Sequence, residues 1–331
     1  MDDEWTSPSI FPFTPKIGSG HSRSGTRKKW KKRYYFERNL LDQDFVSNKY
    51  AGYTREEIIH LFNRIKRLLL RPRETAIHGQ NKVVMWLDWL HNSLTWKNIR
   101  ETYQISESSA IRYVKDVTTA ILKSFEGTDI ISFPGETEKQ VMRRILLHKN
   151  DTMPDVLFTF DGKDSQCNGK SHAERICWKY RWLPCYKVLF VVERALGTIC
   201  AVNLDKAGKK HDITVLRESS FYRDMRSDLG NWLVIGDCGY MNESGVAASV
   251  KRVDRRRLMF SKSFWKEFNR ARNTSEVVFA HFFSNKFPLL SSWKCTGRNN
   301  FEFWARNVIC CVIVYNCMKR ETLKAKMRDF K

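Results

Sequence analysis

The chain has 331 residues, enough for one large domain or two modest ones with a sizeable core. Lys plus Arg number 58 against 36 Asp plus Glu, a formal charge of +22 and a sequence pI near 9.7. That balance points to a polyanionic partner, DNA or another nucleic acid first, because counterion release from phosphates drives such binding. No apolar run approaches the roughly 20 residues a membrane helix needs, no basic amphipathic helix marks a membrane surface, and the opening Met1-Asp-Asp-Glu-Trp5 lacks the basic-then-apolar layout of a secretory signal. We expect a soluble, intracellular protein without membrane contact. The nine cysteines are scattered, several in apolar runs (Cys200, Cys310, Cys311), which fits reduced thiols of the cytosol or nucleus.

Residues 1–50 read as a flexible basic arm, with Pro8, Pro12 and Pro15 followed by a cationic run. Within it Lys28, Lys29, Lys31, Lys32 and Arg33 suit phosphate contact or nuclear import, and suit equally a solvated tail. Residues 51–126 read as a helical, DNA-binding unit. Thr54-Arg-Glu-Glu57 is a capping box before Ile58, Phe62, Ile65 and Leu69, and Pro72 closes that helix. A second helix over about 78–92 buries Val83, Met85, Trp86, Trp89 and Leu90. From Thr95 a short helix, a tight connection capped by Ser106 and a longer helix form a helix-turn-helix pattern. On that reading Glu107, Ser108, Ser109, Arg112 and Lys115 enter the major groove, although such helix pairs also occur in plain bundles. Residues 127–155 read as a connector holding one helix over 137–148.

The pattern then turns from helices to strands, and residues 156–331 read as a second, α/β domain. Val156-Leu-Phe-Thr-Phe160 is an apolar strand ending in Asp161-Gly162, followed by an irregular polar segment to about 182. There Cys167, His172, Cys177 and Cys185 approximate a zinc set but lack the paired C-x2-C knuckle, which leaves zinc open. A hairpin follows, Tyr186–Val192 and Thr198–Leu204 about a turn at Arg194–Gly197. His211-Asp212 opens a helix to about Met225, with Asp212 placed as its N-cap. Trp232-Leu-Val-Ile-Gly236 is a second core strand, and it too ends on a carboxylate, Asp237. A basic patch, Lys251-Arg252 and Arg255-Arg256-Arg257, suits a DNA backbone. The helix over about 263–283 carries an aromatic stripe (Phe264, Phe268, Phe279, Phe282, Phe283), with Glu276 off it, one turn after Arg272; a strongly apolar helix covers 301–322.

Two strands of one sheet joined by a crossover bring Asp161 and Asp237 to the same edge, and a helix packed on that sheet can add Glu276. Aspartates that simply open turns after strands give the same pattern. Carboxylates about 4 Å apart repel by roughly 4 kcal/mol at an effective dielectric near 20, so a true cluster needs cations. Hard oxygen ligands suit Mg²⁺ or Mn²⁺, and two such ions support in-line phosphoryl displacement. His211 and Asp212 are accessory candidates, either at this site or structural.

These segments together resemble the PIF/Harbinger group of transposases, DDE-type nucleases of ribonuclease-H-like fold. The matching pieces are Phe160-Asp-Gly162, His211-Asp-Ile-Thr-Val215, Gly236-Asp-Cys-Gly-Tyr240, Ala271-Arg-Asn-Thr-Ser-Glu-Val-Val-Phe279, Phe287-Pro-Leu-Leu290 and Val308–Asn316, in the family's order. Lys163-Asp164 stands where that group has Thr-His, Ala280 where it has glycine, and Tyr315-Asn316 where it has His-Asn. The resemblance implies a nuclear DNA endonuclease and transposase, with Asp161, Asp237 and Glu276 as both the catalytic and the metal carboxylates, holding two Mg²⁺ or Mn²⁺ ions. It also implies action on transposon ends and target DNA, a homo-oligomer on DNA and a Myb-like DNA-binding accessory protein. The runner-up is a domesticated, catalytically silent, transposase-derived DNA-binding protein.

Overall fold

The computed structural model describes residues 52–72, 74–167, 184–206, 208–240, 243, 246–248, 260–293 and 300–329. The basic arm, His172 and Cys177 of the candidate zinc set, and the patch at Arg255, Arg256 and Arg257 lie outside the described residues. No helix among those described is long and apolar enough to cross a membrane.

The chain is a mixed α/β structure with helices on both faces of a mixed sheet. Four helices come first: α1 (Arg55–Leu69), α2 (Ala76–His91), α3 (Trp96–Tyr103) and α4 (Glu107–Ser124). The expected capping box closes α1, Thr54 and Glu57 each satisfying the other's backbone N–H. Gln104, in the left-handed region at φ 52°, ends α3, and the Ser106 hydroxyl accepts from Ser109 N to start α4. On α4, Glu107, Ser108, Arg112 and Lys115 are exposed, whereas Ser109 is half-buried against the cap. Helix α5 (Glu136–His148) leads to the sheet.

The sheet is built from β1 (Val156–Cys167), β2 (Cys185–Glu193), β3 (Ile199–Asp205), β4 (Leu233–Gly236), β5 (Val246–Ala248) and β6 (Ser292–Trp293). Its order is β3-β2-β1-β4-β5, with β6 pairing the far end of β1. The first three strands form an antiparallel meander, and β4 and β5 run parallel to β1. Between β3 and β4 lie α6 (Asp212–Glu218) and α7 (Ser220–Leu229); after β5 come α8 (Lys262–Phe279), a π-helical segment over Ala280–Lys286, α9 (Pro288–Ser291) and α10 (Asn300–Asp329).

Strand β2 is buried along its whole length and feeds two cores by alternation. Val188, Phe190 and Val192 join the core made with α1–α4, the aromatic end of α8 and α10, while Leu189 and Val191 join that of α6 and α7. One continuous core therefore runs from Trp86 and Trp89 in the helical region to Phe190 in the sheet. Trp86 Nε1 donates to Asn307 Oδ1 of α10 at 3.1 Å within it. Asn316, at the family-like tail, receives Ile199 N–H and donates to the Ile199 and Ile130 carbonyls, so it anchors β3 to α10.

Three expectations need correction. Strand β1 does not end at Asp161-Gly162: it pairs with β2 through Gln166, because the polar residues beyond Gly162 find partners across the ladder, Asp164 lying opposite Lys187. The helix expected from 213 to about 225 is two helices with a break at Ser219. Asp212 is not an N-cap. His211 holds that position without a side-chain cap bond, and the Asp212 carboxylate turns to Lys187 instead.

Candidate active site

Strands β1 and β4 are parallel neighbours in register Thr159↔Ile235. Two residues further along each comes a carboxylate, Asp161 on β1 and Asp237 just past β4. The Asp237 side chain accepts from Gly239 N at 2.7 Å as the chain turns into a short 3-10 helix. The Asp161 side chain accepts from Gly162 N at 2.8 Å.

Asp212 is the third acid here, and two glycines explain the crowding. A Cβ on Gly162 would stand 2.8 Å from Asp212 Cγ, so the bare glycine lets that carboxylate lie against β1 beside Asp161. A Cβ on Gly236 would stand 3.1 Å from both the Phe160 and Tyr240 rings, which meet edge to face with centroids 4.3 Å apart. Tyr240 is fully buried, and its hydroxyl has no hydrogen-bond partner among the described residues. Burial first, then the charges of Asp212, Asp161 and Asp237, push the phenol well above its ordinary pKa.

Asp161 registers the same crowding. Burial raises its carboxyl from 3.8 to about 6; the Gly162 N–H bond opposes that rise, Asp237 and Asp212 add to it, and Arg272 opposes it. Two cations answer the negative charge. Lys187 Nζ bridges Asp164 Oδ1 at 2.9 Å and Asp212 Oδ1 at 2.5 Å, and both Lys187 and Asp164 are buried. Burial alone would lower the Lys187 pKa, but its bonds to Asp212 and Asp164 outweigh that and raise it. Arg272 reaches Asp161 electrostatically, and its Nη2 pairs with Glu276 Oε1 at 2.6 Å, one turn further along α8.

Asp161 thus feels the charges of Asp237 and Asp212, whereas Glu276 is exposed on α8 and tied to Arg272. Among the described residues no three His, Cys, Asp or Glu side chains stand together as a finished metal-ligand set. The Asp161–Asp237 edge nevertheless has the oxygen chemistry a hard cation needs, since Asp237 and Asp212 add to the rise in the Asp161 pKa. His211 is exposed beside this cluster. Cys167 and Cys185 are buried on neighbouring strands.

Sequence reasoning missed Lys187 and Arg272. The signal for Lys187 was present: a lone lysine inside the apolar run Tyr186–Val192 is costly to bury without an anion beside it.

The sheet thus carries Asp161 on β1 and Asp237 just past the parallel strand β4, with α8 packed against β1. Residues 161–316 match the family model described as DDE superfamily endonuclease. The match supports a DDE-type transposase family and a transposase or endonuclease function for this domain, which would act on DNA. Neither a curated protein nor a solved structure matches the chain.

Proposed function

We propose that the chain is a PIF/Harbinger-type transposase that cleaves DNA at transposon ends and joins the freed 3′-hydroxyl to target DNA. The observation that carries this reading is the placement of Asp161 on β1 and Asp237 just past its parallel neighbour β4, in surroundings that suppress the ionisation of Asp161. Asp161 and Asp237 would hold Mg²⁺ or Mn²⁺, and Glu276 would complete the set by exchanging Arg272 for the ion. Two bound ions would supply activation of the attacking oxygen and charge relief on the leaving oxygen. The chain's own residues do the rest. Lys187 fixes Asp212 beside the edge, and Arg272 keeps a positive charge near Asp161.

Residues 51–126 would supply end recognition through Ser108, Ser109, Arg112 and Lys115, with the basic arm and the patch at Arg255, Arg256 and Arg257 tracking phosphates. Residues 127–155 would connect this unit to a ribonuclease-H-like nuclease domain over 156–331. A nuclear site of action, a homo-oligomer on DNA and a Myb-like accessory protein belong to the same reading.

The test is Mg²⁺- or Mn²⁺-dependent nicking of cognate ends, run beside Asp237→Asn. We expect wild type to nick, and the variant to bind DNA equally but nick about 10²–10³-fold more slowly or worse, the scale of losing one preorganised electrostatic group. Equal binding with no nicking by either protein would overturn the enzyme reading. The Arg272–Glu276 pair favours a second reading for that case: a domesticated, silent DNA-binding protein whose third carboxylate is locked to a cation.

A further inference from the structure

On the solvent side of α8 lies a cleft of about 960 Å³ that the carboxylate edge does not use. Lys266, Asn269, Arg270, Asn273 and Val277 recur at helical spacing along one wall, opposite the buried Phe268, Ala271 and Ser275. The hairpin turn Arg194–Gly197 and the end of α5 at Lys149 form the second wall. His281, Tyr315 and Lys319 close the end.

Among the described residues no aspartate or glutamate lines this cleft. Its cations differ in burial and in the contacts they make. Arg194 is buried and spent on Asp151 and the Met153 and Val156 carbonyls, and Lys149 Nζ donates to Ala195 O at 2.6 Å. Lys266 and Arg270 are exposed; Arg270 reaches Glu267 only loosely, at 3.6 Å, and Lys319 lies over the Tyr315 ring at 5.6 Å. The positive field is felt by its neighbours: burial first, then Lys286 and Lys319, lower the pKa of His281. Leu196, Val277 and Ala280 give the cleft apolar stretches between these charges, and Val277 is 66% exposed, high for so apolar a side chain.

We infer that this cleft binds the sugar–phosphate backbone of DNA, away from the carboxylates. An elongated polyanion with apolar sugar faces matches a groove that alternates cations, amides and aliphatic surface. A compact anion would use only a fraction of it. Asn273 joins the two regions, since it lines the cleft and also receives Arg272 Nη2 at 3.4 Å, beside Glu276. A strand lying across Asp161 and Asp237 therefore continues over Asn273 into the cleft, so that the cleft grips DNA flanking the reacting phosphate.

The inference rests on the DNA-acting reading above, and its test separates the two. The full chain is compared with a Lys266→Gln/Arg270→Gln/Lys319→Gln variant by measuring Kd for duplex DNA across a salt series. All three side chains sit at the surface of formed helices, and the melting temperature checks that the variant folds. Each lost phosphate contact removes about 0.9 from the slope of log K against log salt. We expect the variant's slope to be shallower by about 2–3, with the tightest binding lost at low salt. A steep wild-type slope that the variant shares overturns the cleft and leaves the endonuclease reading standing. Weaker binding at an unchanged slope overturns it too, because no phosphate contact was then removed. Salt-insensitive or absent binding by wild type overturns both.

Discussion

Two acids on neighbouring strands of the antiparallel meander, Glu193 fully buried and Asp161 half-buried, teach different lessons. Glu193 ends β2, fully buried, and its carboxylate is met by the Ala195 and Leu196 backbone N–H groups and, at 3.4 Å, by the Thr198 hydroxyl. It organises the hairpin turn, where Gly197, at φ 74°, donates to the Glu193 carbonyl at 2.9 Å. Asp161 receives one bond, from Gly162 N, and otherwise faces Asp237 and Asp212. Burial raises both carboxyls, Glu193 to about 7 and Asp161 to about 6. The difference lies in compensation. At Glu193 two backbone N–H groups and a hydroxyl meet the acid; at Asp161 one backbone N–H and the charge of Arg272 oppose burial, while Asp237 and Asp212 add to it. An acid set against other acids is a candidate functional position.

Removing each acid sharpens that contrast, because the two effects on stability have opposite signs. Glu193→Ala leaves two buried backbone donors unpaired and opens space at the turn. We expect it to destabilise the fold by about 3 kcal/mol near pH 6, read by urea unfolding. A loss below about 1 kcal/mol would show that the turn does not depend on the carboxylate.

Asp161→Asn comes next in size and should stabilise. A carboxyl raised from 3.8 to about 6 in the fold contributes stability that is fully present below pH 4 and is lost as pH rises through 6. The asparagine variant escapes that loss. It should exceed wild type by up to roughly 2–3 kcal/mol at pH 8 without added metal, and the two should converge below pH 4. Denaturation midpoints across pH 4–8 measure this, and parallel curves would contradict the crowding at Asp161.

Much of this was legible in the sequence, for identifiable reasons. Helices α1, α2, α4 and α8 announced themselves through apolar periodicity or caps, as Thr54 of α1 and Ser106 of α4 show. The parallel placement of Asp161 and Asp237 followed from two apolar strands separated by a hairpin and helices. What stayed hidden depended on contacts between distant segments. Lys163-Asp-Ser-Gln166 looks like loop, and is strand because Asp164 meets Lys187 across the ladder. Gly162 looks like a turn residue, and is instead the gap into which Asp212 packs. Asp212 looks like a cap, and is drawn away by Lys187. The tie of Glu276 to Arg272 needed a side-chain conformation that helical spacing permits but does not require.

The account stands on the Asp161–Asp237 edge being a cation site, and Mn²⁺ binding to the intact, DNA-free chain tests that most directly. Calorimetric titration at pH 7.5 should show Mn²⁺ binding to wild type, lost in Asp161→Asn and in Asp237→Asn, and weakened in Glu276→Gln. The melting temperature should rise in step, as about 2.7 kcal/mol of stabilisation at a hundredfold excess over Kd requires. No binding to wild type, or binding that all three substitutions leave unchanged, would contradict it.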